Sequence, residues 1–308
     1  MVQPFIRIAG RRINLTQLDQ SVFMRNDVTK RDVITYYRTI ARIMLRHVHD
    51  RALTLERFPK GVAAESALMH ERPDQFPQWL AGARVQARDG KAPYTAILAS
   101  TPADLIYLAN QGMIALYMGL SRIDRLQYPD RLVFELDPAA GDFGKVPQVA
   151  SRMKRLLEGL GLTPFIQTTG SRGAQLHVPI KRTAGFDEVR EFAQMVARDI
   201  AASFPDLATA DPDARRGERV YIDCSLNAAN RTVIVPYSLR GNEGATVATP
   251  LDWKELSSAD LTAEKYDIQS ILRRLAQKSD PWEGMNRRAS SLQKARERLE
   301  SMVQSGAA

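Results

Sequence analysis

A single cysteine, Cys224, in 308 residues excludes an internal disulfide and any zinc site built on thiolates. It suits a reducing cytoplasm. Histidine is almost as scarce, with only His47, His49, His70 and His177. No apolar run reaches the ~20 residues that span a bilayer. The longest uncharged stretch, Leu105–Ser121, is broken by Asn110, Gln111, Gly112 and Gly119 and reads as a buried helix followed by a strand. The start, Met1–Arg7, lacks the apolar segment of an export signal. Internal repeats and low-complexity linkers are also missing.

What remains is an ordinary globular composition, 44% hydrophobic and 25% charged, long enough for one large domain or two. Lysine and arginine number 43 against 35 acids, a net charge of +8. That excess points to an anionic partner, with nucleic acid foremost, or serves only to keep the protein soluble.

Strands and helices mix along the chain. Phe5–Ala9 reads as a strand, and Thr29-Lys30-Arg31-Asp32 starts a helix with a capping box. Leu53–Phe58 alternates like a strand. Strands follow at Tyr94–Leu98, Met113–Tyr117, Arg131–Leu136, Phe165–Gln167, Gln175–Val178, Val220–Asp223 and Thr232–Val235. Helices are read after Thr101-Pro102, over Val146–Leu160 and over Phe186–Phe204. His47 and His49 fall at a polar helix end and His70 in a loop. Asn286–Gln304 forms a polar, mostly basic helical tail, read as a solvated face or a partner-bound segment.

Three places carry candidate chemistry. Glu135 and Asp137, two apart on a strand, project from one face and suit a hard divalent cation. Asp223, an acid ending an apolar strand, supplies a third carboxylate if the fold brings it alongside, as phosphoryl transfer with two metal ions needs; otherwise it starts a turn. Thr168–Gly173 has the glycines of a tight turn whose N–H groups can face an anion, with Thr169, Ser171 and Arg172 as further donors. Arg216, Arg231 and Arg240 bracket Asp223 and are either phosphate ligands or surface charge. His177 lies two residues after Gln175 and reads first as a structural histidine, and Cys224 as a small buried hydrophobe.

Together these segments resemble the polymerase domain of bacterial DNA ligase D, in the archaeo-eukaryotic primase superfamily. The likeness runs through Leu15–Asp19, Thr29–Tyr37, Leu53–Pro59, Asp130–Pro138, Thr169–Gly173, Pro236–Arg240 and Thr249–Trp253, in order. It implies a primase-type α/β fold (α+β), with a mixed or antiparallel central sheet flanked by helices. An N-terminal subdomain of about residues 1–90 would form the other wall of a DNA cleft, beside a catalytic part of about 91–285 and the tail 286–308. The resemblance further implies Mn²⁺, or Mg²⁺, on Glu135, Asp137 and Asp223. Nucleotide phosphates would lie on Thr169, Ser171, Arg172, Arg216 and Arg240, and DNA on Lys30 and Arg57. Lys30 matches a lysine that grips the 5′-phosphate of a broken end, and its place in a first helical turn adds free N–H groups and a favourable dipole. The implied activity is addition of NTPs or dNTPs to a 3′-OH during non-homologous end joining, beside Ku and a DNA ligase, on the nucleoid.

Several positions depart from the family pattern. Glu135 replaces an aspartate, Gln175 a histidine, Tyr117-Met118-Gly119 a histidine–proline–tryptophan segment, and Ala67-Leu68 a pair of phenylalanines. Gln20 replaces a second DNA-end lysine and Leu226 a polar nucleotide contact. These changes set an alternative beside the polymerase reading: a weakened or inactive homologue that binds DNA ends.

Overall fold

Short alternating runs at the start of the chain build strands before any helix. In a computed structural model, which describes residues 3–86, 92–139, 142–214 and 216–304, β1 (Phe5–Ile8) and β2 (Arg11–Asn14) form a hairpin. β3 (Ser21–Phe23) pairs with β4 (Val28–Thr29), which runs directly into α1 (Lys30–Val48). The Thr29 side chain accepts from the Asp32 N–H while Asp32 accepts from the Thr29 N–H, so the capping box is formed. Val33, Ile34, Tyr37, Ile40, Ala41 and Met44 make the buried stripe of α1.

Next come β5 (Leu53–Arg57), β6 (Ala67–Met69), β7 (Gly82–Val85), β8 (Tyr94–Ile97), α2 (Pro102–Asn110) and β9 (Met113–Gly119). The uncharged stretch from Leu105 is thus the buried helix and strand its composition predicts. His47 lies in the last turn of α1, as expected, but is buried and faces inward beside the Tyr237 ring at 6.1 Å.

A second group of elements follows: β10 (Arg131–Asp137), α3 (Val146–Gly159), β11 (Phe165–Thr168), β12 (Ala174–Pro179), α4 (Phe186–Ser203), β13 (Ala208–Thr209) and β14 (Val220–Asp223). β15 (Thr232–Ile234) then pairs with β9, and β16 (Thr249–Leu251) with β11. α5 (Ser270–Gln277) and α6 (Leu292–Gln304) end the chain's described helices.

The chain therefore crosses repeatedly between two compact units. The first holds Met1–Asp124, Thr232–Ala248 and Tyr266–Lys278, and the second Arg125–Arg231, Thr249–Lys265 and Ser279–Ala308. A boundary near residue 90 falls at residues 87–91, outside the described residues. The strands on either side, β7 and β8, pair with each other, and so the first unit does not end there. Nor is the tail merely solvated. Leu292, Ala295 and Leu299 of α6 are buried, α6 packs on α4, and Arg296 pairs with Glu191 at 2.9 Å.

The first unit's main sheet runs β15-β9-β5-β8-β7, and the second unit's runs β13-β14-β10-β12-β11-β16. All pairs in the second sheet are antiparallel except β13–β14. One of its faces is apolar, with Leu132, Phe134, Leu136, Ile166, Leu176 and Ile222 all buried. α3 and α4 lie on β10 and present Val149, Met153, Val189, Phe192 and Val196 as buried residues. Among the described residues no helix is long and apolar enough to cross a membrane.

Candidate active site

Strand alternation places Val133, Glu135 and Asp137 on the face of β10 away from those apolar side chains. Register then builds a row. Glu135 stands opposite Asp223 on β14 and opposite Gln175 on β12, and Gln175 stands opposite Gln167 on β11. Directly opposed residues bring their Cβ atoms within about 4.5–5.5 Å. Glu135, Asp137 and Asp223 therefore share one face of the sheet.

The two aspartates already accept hydrogen bonds. Asp137 Oδ2 accepts from Arg216 Nη1 at 2.7 Å, and the Arg216 guanidinium lies 4.5 Å from the Tyr221 ring centre. Asp223 accepts from the Ser225 N–H at 2.7 Å and the Ser225 hydroxyl at 3.1 Å, a turn of its own. Asn227 fixes that turn: its amide accepts from Val133 N–H at 2.8 Å and donates to Val133 O at 2.6 Å and Cys224 O at 3.0 Å. In this arrangement no group of three or more His, Cys, Asp or Glu among the described residues is positioned to hold a metal ion. The donor chemistry and register suit a hard divalent cation, which would compete with Arg216 and Ser225 for the lone pairs of Asp137 and Asp223. Cys224, next in sequence, is pushed up to about 12 by burial and then by Asp223, which leaves it no thiolate for chemistry.

The glycine turn joins β11 to β12, on the opposite flank of β10 from β14. Thr169 closes it: the hydroxyl donates to Gly173 O at 3.0 Å and accepts from Gly173 N–H at 3.2 Å. Gly170 sits at φ +67°, and a Cβ on Gly173 would come within 2.1 Å of the Leu136 carbonyl. The loop backbone thus lies directly against the end of β10. Thr169 is buried, whereas Ser171 is half-buried and Arg172 exposed, so those two side chains are the ones available to an anion.

Gln175 and His177 belong to a packed network. The Gln175 amide oxygen accepts from Gln167 Nε2 at 3.1 Å and faces His177 Nε2 at 3.2 Å, which requires the proton on that nitrogen. His177 is fully buried, 4.8 Å from the Trp282 ring centre. Its structural reading fits. Gln167, Asn227 and Trp282 were absent from the sequence-based site. A glutamine inside the apolar run Phe165–Thr168 was the one local signal.

The first unit holds the other candidates. Lys30 is 7% exposed and lines a cavity of about 180 Å³ with Thr16, Gln20, Arg57, Asn110 and Gln111. Its ammonium donates to Thr16 Oγ1 at 3.2 Å, and burial lowers its pKa. Arg57 donates to Gln111 O at 2.8 Å, and Gln20, in the place of a lysine, to Pro59 O at 2.8 Å. The expected free N–H groups of the helix start are not free. Lys30 N–H donates to Gln20 O, Arg31 N–H to Leu18 O, and Asp32 N–H to Thr29 Oγ1. Any anion here meets the side chains, not the helix end. Arg240 lies 5.7 Å from the Tyr117 ring centre, and Tyr117 donates to Glu56 at 3.0 Å. Burial, ahead of its charged neighbours, pushes Tyr117 up to about 12. Leu68, on β6, is 68% exposed.

Residues 29–282 match the model of the LigD primase-polymerase domain. The chain belongs to that family. LigD, the bifunctional non-homologous end joining protein of Bacillus subtilis, is 32% identical over 275 residues, covering 88% of this chain and 44% of that protein. The multifunctional LigD of Mycolicibacterium smegmatis is 32% identical over 273 residues, covering 87% and 35%. The chain thus spans less than half the length of either relative. Among solved structures it resembles the polymerase domain of Mycobacterium tuberculosis ligase D in complex with DNA. The TM-score is 0.84 at 29% identity, covering 90% of this chain and 99% of that one. The primase-type fold read from sequence is therefore the fold of this LigD-family chain.

Proposed function

We propose that this LigD-family chain adds nucleotides to the 3′-OH of DNA ends. The observation that carries this is the face shared by Glu135, Asp137 and Asp223 beside the Thr168–Gly173 turn. In the reaction the 3′ oxygen bonds to the α-phosphorus while the bridging P–O bond breaks. Pyrophosphate leaves with that electron pair, and the hydroxyl proton passes to a carboxylate or water. Divalent cations on the three carboxylates, Mn²⁺ or Mg²⁺, would lower the charge on the attacking and leaving oxygens. Arg172 and Ser171, on the exposed side of that turn, would meet the outgoing phosphates. Arg216, which donates to Asp137, would be available to a phosphate oxygen if a cation drew that carboxylate away. Glu135 carries one methylene more than aspartate, and Gln175 brings no proton that titrates near neutrality. Both should slow transfer relative to a site with aspartate and histidine at these positions.

The test is extension of a gapped, 5′-phosphorylated substrate with NTPs and Mn²⁺. Added nucleotides that disappear on chelation are expected, and no addition with either Mn²⁺ or Mg²⁺ would refute the reading.

The Lys30 cavity is proposed to take the 5′-phosphate of the DNA end, in a repair role shared with Ku and a ligase in the cytoplasm. A hydrogen bond to a charged group contributes about 1.5–3 kcal/mol, so Lys30→Ala should weaken binding of 5′-phosphorylated DNA about tenfold or more. Binding of the 5′-hydroxyl form should be unchanged. Burial lowers the Lys30 pKa, and a bound phosphate favours the ammonium. Preference for the phosphorylated end is therefore full below that lowered pKa and fades as pH rises through it. Equal loss on both DNAs would mean that Lys30 belongs to a diffuse basic surface.

A further inference from the structure

The start of the chain carries Arg7, Arg11 and Arg12 before any acid. The first carboxylate, Asp19, is already paired with Arg31 at 2.9 Å. The β1–β2 hairpin sorts the three cations by face. Register sets Phe5 opposite Asn14 and Arg7 opposite Arg12, while Ile6 opposes Ile13 and Ile8 opposes Arg11. Opposed residues, and residues two apart, share a face. Phe5, Arg7, Arg12 and Asn14 therefore form one side, and all four are exposed. The other side holds Ile6, Ile8 and the buried Ile13, and there Arg11 lies 5.8 Å from the Trp79 ring centre.

Like charges directly opposed across two strands repel, and no carboxylate of the hairpin offsets this pair. Among the described residues, the Arg7 and Arg12 side chains make no hydrogen bond or ion pair. Both converge instead on Phe5, whose ring centre is 4.1 Å from the Arg12 guanidinium carbon and 5.9 Å from that of Arg7. The two guanidinium groups thus lie within about 10 Å of each other, around a ring that is 44% exposed. Such forks hold phosphate oxygens, and the ring offers a face to a sugar or base. An acidic peptide would engage the forks and give the ring no flat partner.

The hairpin is tied to the Lys30 cavity. Asn110, in that cavity's wall, donates to Asn14 O at 3.0 Å and accepts from Thr16 N–H at 3.1 Å. A second cavity, of about 680 Å³, has Thr16, Gln17 and Gln20 in common with the first and reaches Pro4 and Leu15 at the foot of the hairpin. From Thr16 to Arg12 is at most about 14 Å of extended chain, the rise of about four nucleotides of one strand. We infer that the exposed hairpin face is a second DNA contact, in which Arg7, Arg12 and Phe5 hold the backbone of the duplex that continues from the 5′-phosphate at Lys30. The inference rests on the 5′-phosphate reading above and adds to it the path of the DNA behind that end.

The test follows binding of gapped, 5′-phosphorylated DNA by anisotropy across a salt series. The wild type is compared with the double variant Arg7→Ser, Arg12→Ser. A control, Arg287→Ser, Arg288→Ser, removes the same charge from exposed positions of the second unit. Each phosphate contact on duplex DNA contributes about 0.9 to the slope of log K against log salt, so losing two should flatten it by about 1.8. The control should keep the wild-type slope, and the hairpin variant should keep the preference for a 5′-phosphate over a 5′-hydroxyl. Both hairpin arginines are exposed, and an unchanged melting temperature checks that the variant folds. Neutral methylphosphonates, placed singly near the phosphorylated end of either strand, should cost the wild type affinity a few nucleotides in and cost the hairpin variant nothing there. An unchanged slope, equal flattening by the control, or no such sensitive linkage overturns the inference. So does a polyglutamate peptide that binds the wild type and not the hairpin variant while the DNA slope stays unaltered. A flattened slope in a protein indifferent to the 5′-phosphate would uphold the hairpin contact and sink the Lys30 reading. A phosphate preference with an unaltered slope would do the reverse.

Discussion

Gly173→Ala should lower thermal stability and disable the nucleotide loop together. The new Cβ would meet the Leu136 carbonyl at 2.1 Å, and a backbone atom in mid-sheet cannot swing aside as a side chain can. Relief requires the loop to lift from β10, breaking the bonds by which Thr169 closes it. Overpacking of this kind costs about 1–3 kcal/mol or more. In a chain of this size each kcal/mol shifts the melting temperature by about 2–4 °C. Because Leu136 lies between Glu135 and Asp137, the displacement also reaches the carboxylates. Ser171→Ala, two residues away with no such approach, should melt like the wild type. A Gly173→Ala protein with unaltered melting would show that the loop does not press on β10.

Trp282→Ala should be the more damaging change to stability. The indole is nearly inaccessible, donates to Ile166 O at 3.1 Å, and packs on the rings of His177 and Phe165 at 4.8 and 6.1 Å. Truncating a buried tryptophan costs about 3–5 kcal/mol, a large share of the ~5–15 kcal/mol that holds a domain together. Trp282→Phe keeps a ring against His177 but leaves the Ile166 carbonyl without its donor, at about 1–3 kcal/mol. Urea midpoints should therefore fall in the order wild type, Trp282→Phe, Trp282→Ala. Equal midpoints for the two variants would mean that ring packing contributes little beyond the hydrogen bond.

These two residues mark how far the sequence could be read. The strands were legible because Arg131–Leu136 and Val220–Asp223 are apolar runs with acids at their ends. Spacing alone put Glu135 and Asp137 on one face. Whether Asp223 joined them depended on register between strands some ninety residues apart, a property of the whole sheet and not of any window. The Gln167–Gln175 pair was hidden for the same reason. Trp282 was hidden because nothing near it in the chain hints at His177. The helix start at Lys30 was read correctly as a capping box, yet its N–H groups were taken by Gln20 and Leu18, residues of a preceding turn that no local rule includes. The boundary near residue 90 failed through pairing as well, since β5 gathers β8 and β9 into its own sheet.

The central claim is that Glu135, Asp137 and Asp223 act together in nucleotide transfer. Asp137→Asn tests it most directly, because the amide preserves size while removing the charge. Extension of a gapped 5′-phosphorylated substrate with NTPs and Mn²⁺ should fall by a factor of at least about 10², the scale of one lost electrostatic contact in a transition state. Binding of the same DNA, followed by anisotropy, should stay within twofold of the wild type. Extension by Asp137→Asn at the wild-type rate would contradict the account.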